Sequence, residues 1–143
     1  MAFTKRIRRP ARQEHLAALV GFVAGLAERH GFAPARIKEL ELAVEEALVN
    51  ILTYAYPKTA GDIEIEAKGA EADRLILEIS DFGAAFDPLS LPVPDLLAEL
   101  AVRRVGGLGV FLVRQMADAV EYRRQAGANV LTLTFSKARS EEH

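Results

Sequence analysis

Residues 34–57 read PARIKELELAVEEALVNILTYAYP. Apolar residues recur in this stretch at helical spacing, which predicts an amphipathic helix that begins at Pro34 and is closed by Pro57. Asn50 is unusual in this helix because the two residues on each side of it are apolar. An amide in apolar surroundings is costly unless it is hydrogen-bonded, so Asn50 is expected to make a specific contact.

A second helix and a short strand precede this one. Apolar residues recur at helical spacing from about Ala11 to His30, and Gly31 follows as a stop signal. Residues 3–8 alternate in hydrophobicity, which predicts a strand that Pro10 ends. The chain is therefore expected to begin with a strand followed by two helices.

After the second helix the period changes from helical to alternating. Residues 63–68 and 75–80 predict two strands that pair as a hairpin through a turn at residues 69–72. Residues 119–123 and 130–135 predict a second hairpin. Grouped helices and antiparallel hairpins predict an α+β fold, a two-layer sandwich with helices on one face of a mostly antiparallel, mixed sheet.

The segment between the hairpins, residues 84–105, is the least regular part of the chain. It holds three prolines and a leucine-rich piece at residues 96–100, and a helix from Val110 to Ala117 is predicted after it. Loops of this length in compact domains are usually functional or mobile. Residues 136–143 are polar and are expected to fray.

The composition is that of one globular domain spanning residues 1–143. Half of the residues are hydrophobic, and 18 Lys and Arg nearly balance 20 Asp and Glu. This balance gives no overall field that would attract nucleic acid or an anionic membrane. The absence of cysteine excludes disulfides and thiolate chemistry. Neither a secretory signal nor an apolar run of membrane-spanning length is present, so we expect a cytoplasmic protein that binds neither membrane nor nucleic acid directly.

The first candidate site residues are Glu46 and Asn50, which a spacing of four places on one face of the helix. The amide oxygen of Asn50 could bind Mg²⁺, a cation that takes hard oxygen ligands, with Glu46 as a general base one turn away. Asn50 could equally belong to a polar network in a helix core. Taken alone, the pair fits this structural interpretation better.

The second candidate is Asp81-Phe82-Gly83, at the end of a predicted strand. Asp followed closely by Gly is common in ordinary turns. The functional interpretation is a carboxylate aimed at the exocyclic amine of adenine, with Gly83 allowing the backbone to approach the base.

The third candidate is the run Gly106-Gly107-Leu108-Gly109, which leads into a helix. Helix N-termini present unpaired N–H groups that suit phosphate, although glycine-rich helix entries are also common without a ligand. The run lacks the strand context of a dinucleotide-binding fingerprint and the lysine of a Walker A loop, so both of those nucleotide folds are disfavoured.

A basic cluster near the N-terminus has two interpretations. Its members are Lys5, Arg6, Arg8, Arg9 and Arg12. Charge of this kind usually belongs to a solvated edge strand, where it discourages pairing with other chains. A docking surface for a partner is the less favoured alternative.

The three candidates together, in their order along the chain, resemble the GHKL ATPase superfamily. The shared pattern is E-x-x-x-N on a helix, D-x-G at a strand end, a long loop, and G-x-G opening a helix. Within the superfamily the chain is similar over nearly its whole length to the anti-sigma-factor serine/threonine kinases of bacteria. The resemblance implies a Bergerat ATP-binding fold with residues 84–105 as a lid.

The resemblance also implies a role for each matching residue. Glu46 would be the catalytic base, and Asn50 would be the Mg²⁺ ligand. The residues implied at the nucleotide are Asn50, Asp81, Gly83, Ala85, Gly107, Leu108 and Gly109. Ala85 departs from the frequent D-x-G-x-G pattern. The last strand of many members carries a threonine early, and here the residues Gly127-Ala128-Asn129 stand in that region, so the contact of that threonine has no assigned counterpart.

The function implied is that of a protein kinase that uses ATP and Mg²⁺. Its substrate would be a serine or threonine of an anti-anti-sigma (STAS-type) protein. Its second partner would be a sigma factor, and the protein would form a homodimer. Two alternatives stay open: a nucleotide-gated binding module without kinase activity, and a scaffold in which the three patterns are coincidental.

Overall fold

The computed structural model describes residues 2–55, 61–71, 73–85, 87, 89 and 107–138. Its strands and helices follow the predicted order, which is one strand, two helices, two strands, one helix and two strands. Their bounds are β1 (Phe3–Pro10), α1 (Leu16–Arg29), α2 (Pro34–Asn50), β2 (Asp62–Glu71), β3 (Arg74–Asp81), α3 (Gly107–Met116), β4 (Ala119–Gln125) and β5 (Ala128–Ser136). No helix in these ranges has the length and apolar character needed to cross a membrane.

The five strands form one sheet in the order β1-β2-β3-β5-β4, and every neighbouring pair in it is antiparallel. Along β3 the side chains of Leu75, Leu77 and Ile79 are buried, and those between them are only partly covered. The buried residues join one cluster with apolar side chains of α1, α2 and α3. The α+β class, with helices packed on one face of the sheet, is therefore confirmed.

Strand β2 is longer than predicted, because it continues through the expected turn at residues 69–72 as far as Glu71. Gly69 pairs with Phe3 of β1, and the ring of Phe3 lies where a Cβ on Gly69 would be. The glycine is thus required for close packing between strands, a role of glycine that sequence patterns do not separate from a turn. The register shifts between Lys68 and Glu71.

The predicted first helix is also divided. Its start is a short 3₁₀ turn at Gln13–His15, and α1 proper follows. At the other end of the chain, β5 includes Ser136, which was expected to belong to a frayed tail. The leucine-rich residues 96–100 and most of the expected lid lie outside the described residues.

The basic cluster on β1 is partly neutralised by the neighbouring strand. Arg6 forms ion pairs with Glu64 and Glu66 of β2, and the guanidinium of Arg8 lies 2.9 Å from the carboxylate of Asp62. These pairs run across adjacent strands on the face opposite the core. They favour the interpretation of the cluster as an exposed edge of the sheet.

Arg36, near the start of α2, is buried with only 4% of its surface exposed. Its guanidinium donates to Glu39 Oε1 at 2.8 Å, to the carbonyl of Met116 at 2.8 Å, to Asp118 Oδ2 at 2.7 Å and to the carbonyl of Ser136 at 2.9 Å. One side chain therefore joins α2 to the C-terminal end of α3 and to the end of β5. A cation at a helix C-terminus also complements the helix dipole.

We predict that Arg36→Met lowers the free energy of unfolding by about 3 kcal/mol, because it removes the buried cation of an ion pair and the four hydrogen bonds that this cation donates. Chemical denaturation measures the change. Lys38→Met, on the same helix and with a side chain 84% exposed, is the matched control and should change stability by less than about 0.5 kcal/mol. Equal losses in the two variants would contradict a structural role for Arg36.

Candidate functional site

A cleft opens between the end of α2, the C-terminal end of β3, α3 and the β4–β5 hairpin. It brings together two of the predicted site residues, Asn50 and Asp81, which are 31 positions apart in the chain. The described residues that line it are Ala47, Asn50, Ile51, Ile79, Asp81, Leu89, Val113, Val120, Tyr122, Asn129 and Leu131. Its lining is mostly apolar with a few polar groups, as is usual for small-molecule sites.

Asn50 is the last residue of α2 and is 3% exposed. Its Oδ1 is buried and has no hydrogen-bond partner in the described part of the structure. A buried polar atom without a partner costs about 1–3 kcal/mol, so its retention calls for an explanation such as a bound ion. A π-helical turn, Ile51–Ala55, follows directly, and such turns are frequent at functional sites. The orphaned oxygen fits a hard cation such as Mg²⁺.

Glu46 lies one helical turn before Asn50 and is partly buried. It is not one of the described residues that line the cleft. Burial raises the pKa of its carboxyl above the usual range, and the neighbouring charge of Glu45 raises this pKa further. A carboxylate with a raised pKa is a better proton acceptor, which suits a general base.

Asp81 ends β3 and is 3% exposed. Its Oδ1 accepts hydrogen bonds from the backbone N–H of Gly83 at 3.0 Å and from Asn129 Nδ2 at 2.9 Å. Burial raises the pKa of the Asp81 carboxyl, against the opposing effects of these two hydrogen bonds and of the charge of Arg124. The carboxylate is thus fixed in position at the edge of the cleft.

The backbone after Asp81 is held by the β4–β5 hairpin. The carbonyl of Gly83 accepts from Arg124 Nη1 at 2.9 Å, and that of Ala84 accepts from Asn129 Nδ2 at 2.8 Å. Ala85, predicted to contact a nucleotide, is exposed. Its predicted contact, like that of Gly83, stays a prediction.

Helix α3 begins at Gly107, so the glycine-rich run opens a helix as predicted. The first N–H groups of such a helix have no partners within the helix. Val113, further along α3, reaches the cleft, so the helix packs beside Asn50 and Asp81. The contacts predicted for Gly107, Leu108 and Gly109 with phosphate stay predictions, and Gly106 lies outside the described residues.

Two polar residues of the cleft were not predicted as site residues, Tyr122 and Asn129. The Tyr122 hydroxyl donates to Asn129 Oδ1 at 2.6 Å, and Asn129 pairs directly with Asp81 across β3 and β5. The signal in the sequence is slight: Gly127 lies between the two alternating segments, and Asn129 lies just before the predicted strand at residues 130–135. Identifying Asp81 as its partner requires the pairing of strands 48 positions apart.

The family model of the histidine kinase-like ATPase domain matches residues 9–135. The chain therefore belongs to the histidine kinase-like ATPase family, a GHKL-type fold. Within it, the chain is 31% identical over 130 residues to the serine-protein kinase RsbW of Bacillus cereus strain AH187, a match that covers 88% of this chain and 81% of the relative. RsbW of B. cereus strain G9842 is 32% identical and that of Bacillus thuringiensis strain Al Hakam is 30% identical, with the same coverage.

We predict that Asn50→Leu abolishes the dependence of ATP affinity on Mg²⁺, because it removes the buried oxygen. Its free energy of unfolding should be unchanged or up to about 1 kcal/mol higher, since an unsatisfied polar atom is lost. Calorimetric titration with and without Mg²⁺, together with denaturation, measures both effects. Asn50→Asp keeps an oxygen and should keep the dependence on Mg²⁺. Full dependence in Asn50→Leu would show that the metal is held elsewhere.

Proposed function

We propose that the protein is an ATP-dependent serine/threonine protein kinase that acts as an anti-sigma factor and phosphorylates a STAS-type anti-anti-sigma protein. The observation that carries this proposal is the buried oxygen of Asn50, which has no partner among the described residues and lies in one cleft with Asp81, one turn after a partly buried glutamate. The likeness to serine-protein kinases over 88% of the chain supports the choice of reaction.

The nucleotide would enter the cleft with its base at Asp81. The carboxylate would accept a hydrogen bond from the exocyclic amine of adenine, and apolar side chains such as Ile79 and Leu131 would cover the ring. The N–H groups at the start of α3 would donate to the phosphates, because N–H groups in the first turn have no partner within the helix and the helix dipole has its positive end there. Asn50 would hold Mg²⁺, which neutralises phosphate charge during transfer.

Glu46 would act on the protein substrate. As the hydroxyl oxygen of serine or threonine forms its bond to the γ-phosphorus, the bond from that phosphorus to the bridging oxygen of ADP breaks. The hydroxyl proton passes to the Glu46 carboxylate and then to solvent, and ADP leaves. The raised pKa of Glu46 strengthens it as the acceptor in this step.

The remaining parts of the proposal concern the assembly and its setting. The protein would work in the cytoplasm as a homodimer that binds a sigma factor or its STAS-type antagonist and does not contact nucleic acid. The resemblance to the anti-sigma-factor serine/threonine kinases supports this setting. A nucleotide-gated binding module without transfer activity is the alternative that the following experiment distinguishes.

We predict that Glu46→Gln binds ATP within about threefold of the wild-type affinity but transfers phosphate at least 100-fold more slowly, the contribution typical of a general base. Mass spectrometry of phosphoserine and phosphothreonine on a STAS-type partner incubated with Mg²⁺ and ATP measures transfer. Transfer at the wild-type rate in the variant would remove Glu46 from its role. If the wild-type protein binds ATP and the partner but transfers nothing, the alternative without kinase activity holds.

The pH dependence of transfer provides a second test of Glu46. A general base must be ionised to act. Because the pKa of Glu46 is raised, lowering the pH should reduce activity while the pH is still above the ordinary glutamate pKa of about 4.3. We predict that Glu45→Gln moves this acid limb of the kcat/KM profile to lower pH, because it removes one cause of the shift. The move should be partial, since burial is the larger cause.

Glu41→Gln is the matched control for this profile. Glu41 lies on the same helix, pairs with Lys38 at 3.8 Å and is not a cause of the Glu46 shift. Its acid limb should coincide with that of the wild-type protein. An equal displacement in Glu41→Gln and Glu45→Gln would mean that the limb reports the general charge of the helix and not Glu46.

A further inference from the structure

We propose that Asn129, oriented by Tyr122, is a positioning residue that fixes Asp81 as an acceptor for the 6-amino group of a purine and so determines base specificity. The inference deepens the proposed function and rests on its nucleotide site. It starts from the only set of side-chain contacts in the described residues that reaches Asp81 from the β4–β5 hairpin.

The hairpin places Asn129 by its register. The turn between β4 and β5 has two residues, Ala126 and Gly127, with φ of 52° and 80°, the left-handed values of a tight hairpin turn. Asn129 is the second residue of β5 and pairs with Asp81 on β3. Side chains of paired residues stand on the same face of a sheet, so the amide and the carboxylate meet.

Tyr122 determines which way the amide of Asn129 points. The two groups of an amide differ, since the oxygen only accepts and the nitrogen only donates. The Tyr122 hydroxyl donates to Oδ1 at 2.6 Å, which turns Nδ2 toward β3. There the two hydrogens of Nδ2 are donated to Asp81 Oδ1 at 2.9 Å and to the carbonyl of Ala84 at 2.8 Å.

These contacts leave one atom of Asp81 available to a ligand. Oδ1 accepts from Asn129 and from the N–H of Gly83, whereas no described residue donates to Oδ2. An ionised carboxylate oxygen only accepts hydrogen bonds, so it complements an amino group at purine position 6. A 6-oxo purine would place an acceptor against it in the same pose and would be disfavoured.

The same hairpin also holds the chain segment that leaves the site. Arg124 donates to the carbonyl of Gly83, next to the carbonyl that Asn129 holds. The peptide groups directly after Asp81 are therefore attached to β4 and β5 at two adjacent points. Loss of Asn129 would remove the side-chain hydrogen bond to Asp81 Oδ1 and one of the two attachments of this backbone, so one substitution would loosen both.

Calorimetric titration of the full chain with Mg-ATP and with Mg-purine riboside 5′-triphosphate, which lacks the 6-amino group, tests the proposal. The ratio of the two Kd values isolates the amino group from phosphate binding. We predict that the wild-type protein prefers ATP by about tenfold or more, the effect expected of a hydrogen bond to a charged acceptor. Asn129→Leu should lower the ratio to below about threefold, and Tyr122→Phe should give an intermediate value.

Two further variants calibrate the ratio. Asp81→Ala gives its value when the acceptor is missing. Glu121→Gln is the matched control, because this exposed residue lies on β4 next to Tyr122 and on the opposite face of the sheet. It should keep the wild-type ratio. The ratio of the two Kd values is insensitive to a partial loss of folded protein, because such a loss affects both titrations equally. If Asn129→Leu does not fold at all, Tyr122→Phe still tests the proposal.

The outcomes separate this inference from the proposed function. If the wild-type protein prefers ATP and both Asn129→Leu and Tyr122→Phe keep the full preference, the positioning role is wrong while the nucleotide site stands. If the wild-type protein binds both triphosphates equally, the amino group is not read and the inference also fails. If it binds neither triphosphate, the proposed function fails together with the inference.

Discussion

The antiparallel pairing of β3 with β5 is the constraint on which the rest of this structure depends. It sets Asp81 opposite Asn129 and, in the same register, directs Leu75, Leu77 and Ile79 into the core. A slip of one residue would turn the apolar set toward the uncovered face and bury the polar one. The hydrophobic core therefore fixes the strand register, and the register in turn positions the polar groups of the cleft.

Helix α2 carries a buried cation with its hydrogen bonds satisfied near its start and a buried amide at its end. At its start Arg36 is buried and fully engaged, with four donated hydrogen bonds that tie three elements together. At its end Asn50 is buried just as deeply, and its oxygen lacks a partner in the described residues. The first arrangement stabilises the folded chain and the second costs stability, which is the distribution expected of a binding site.

The two carboxylates near the cleft are both perturbed by burial but are held differently. Asp81 is fixed by hydrogen bonds from Gly83 and Asn129, which suits a group that must present one oxygen in a constant direction. Glu46 is partly exposed, and its pKa is raised by burial and by the charge of Glu45, which suits a group that must take up a proton. The two environments thus suit similar side chains to the separate roles proposed for them.

The sequence by itself determined the class of fold and indicated several candidate site residues. The change from helical to alternating period predicts helices on one face of an antiparallel sheet, because these periods follow from local backbone geometry. Asn50 stood out because an amide among apolar neighbours is costly, and the order of the three patterns indicated the ATPase family. Only the tertiary structure brought Tyr122 and Asn129 to Asp81, engaged Arg36 with β5, and placed Gly69 inside a strand under Phe3. Each of these depends on partners tens of residues apart, whose meeting is set by sheet register and core packing and leaves no local periodic signal.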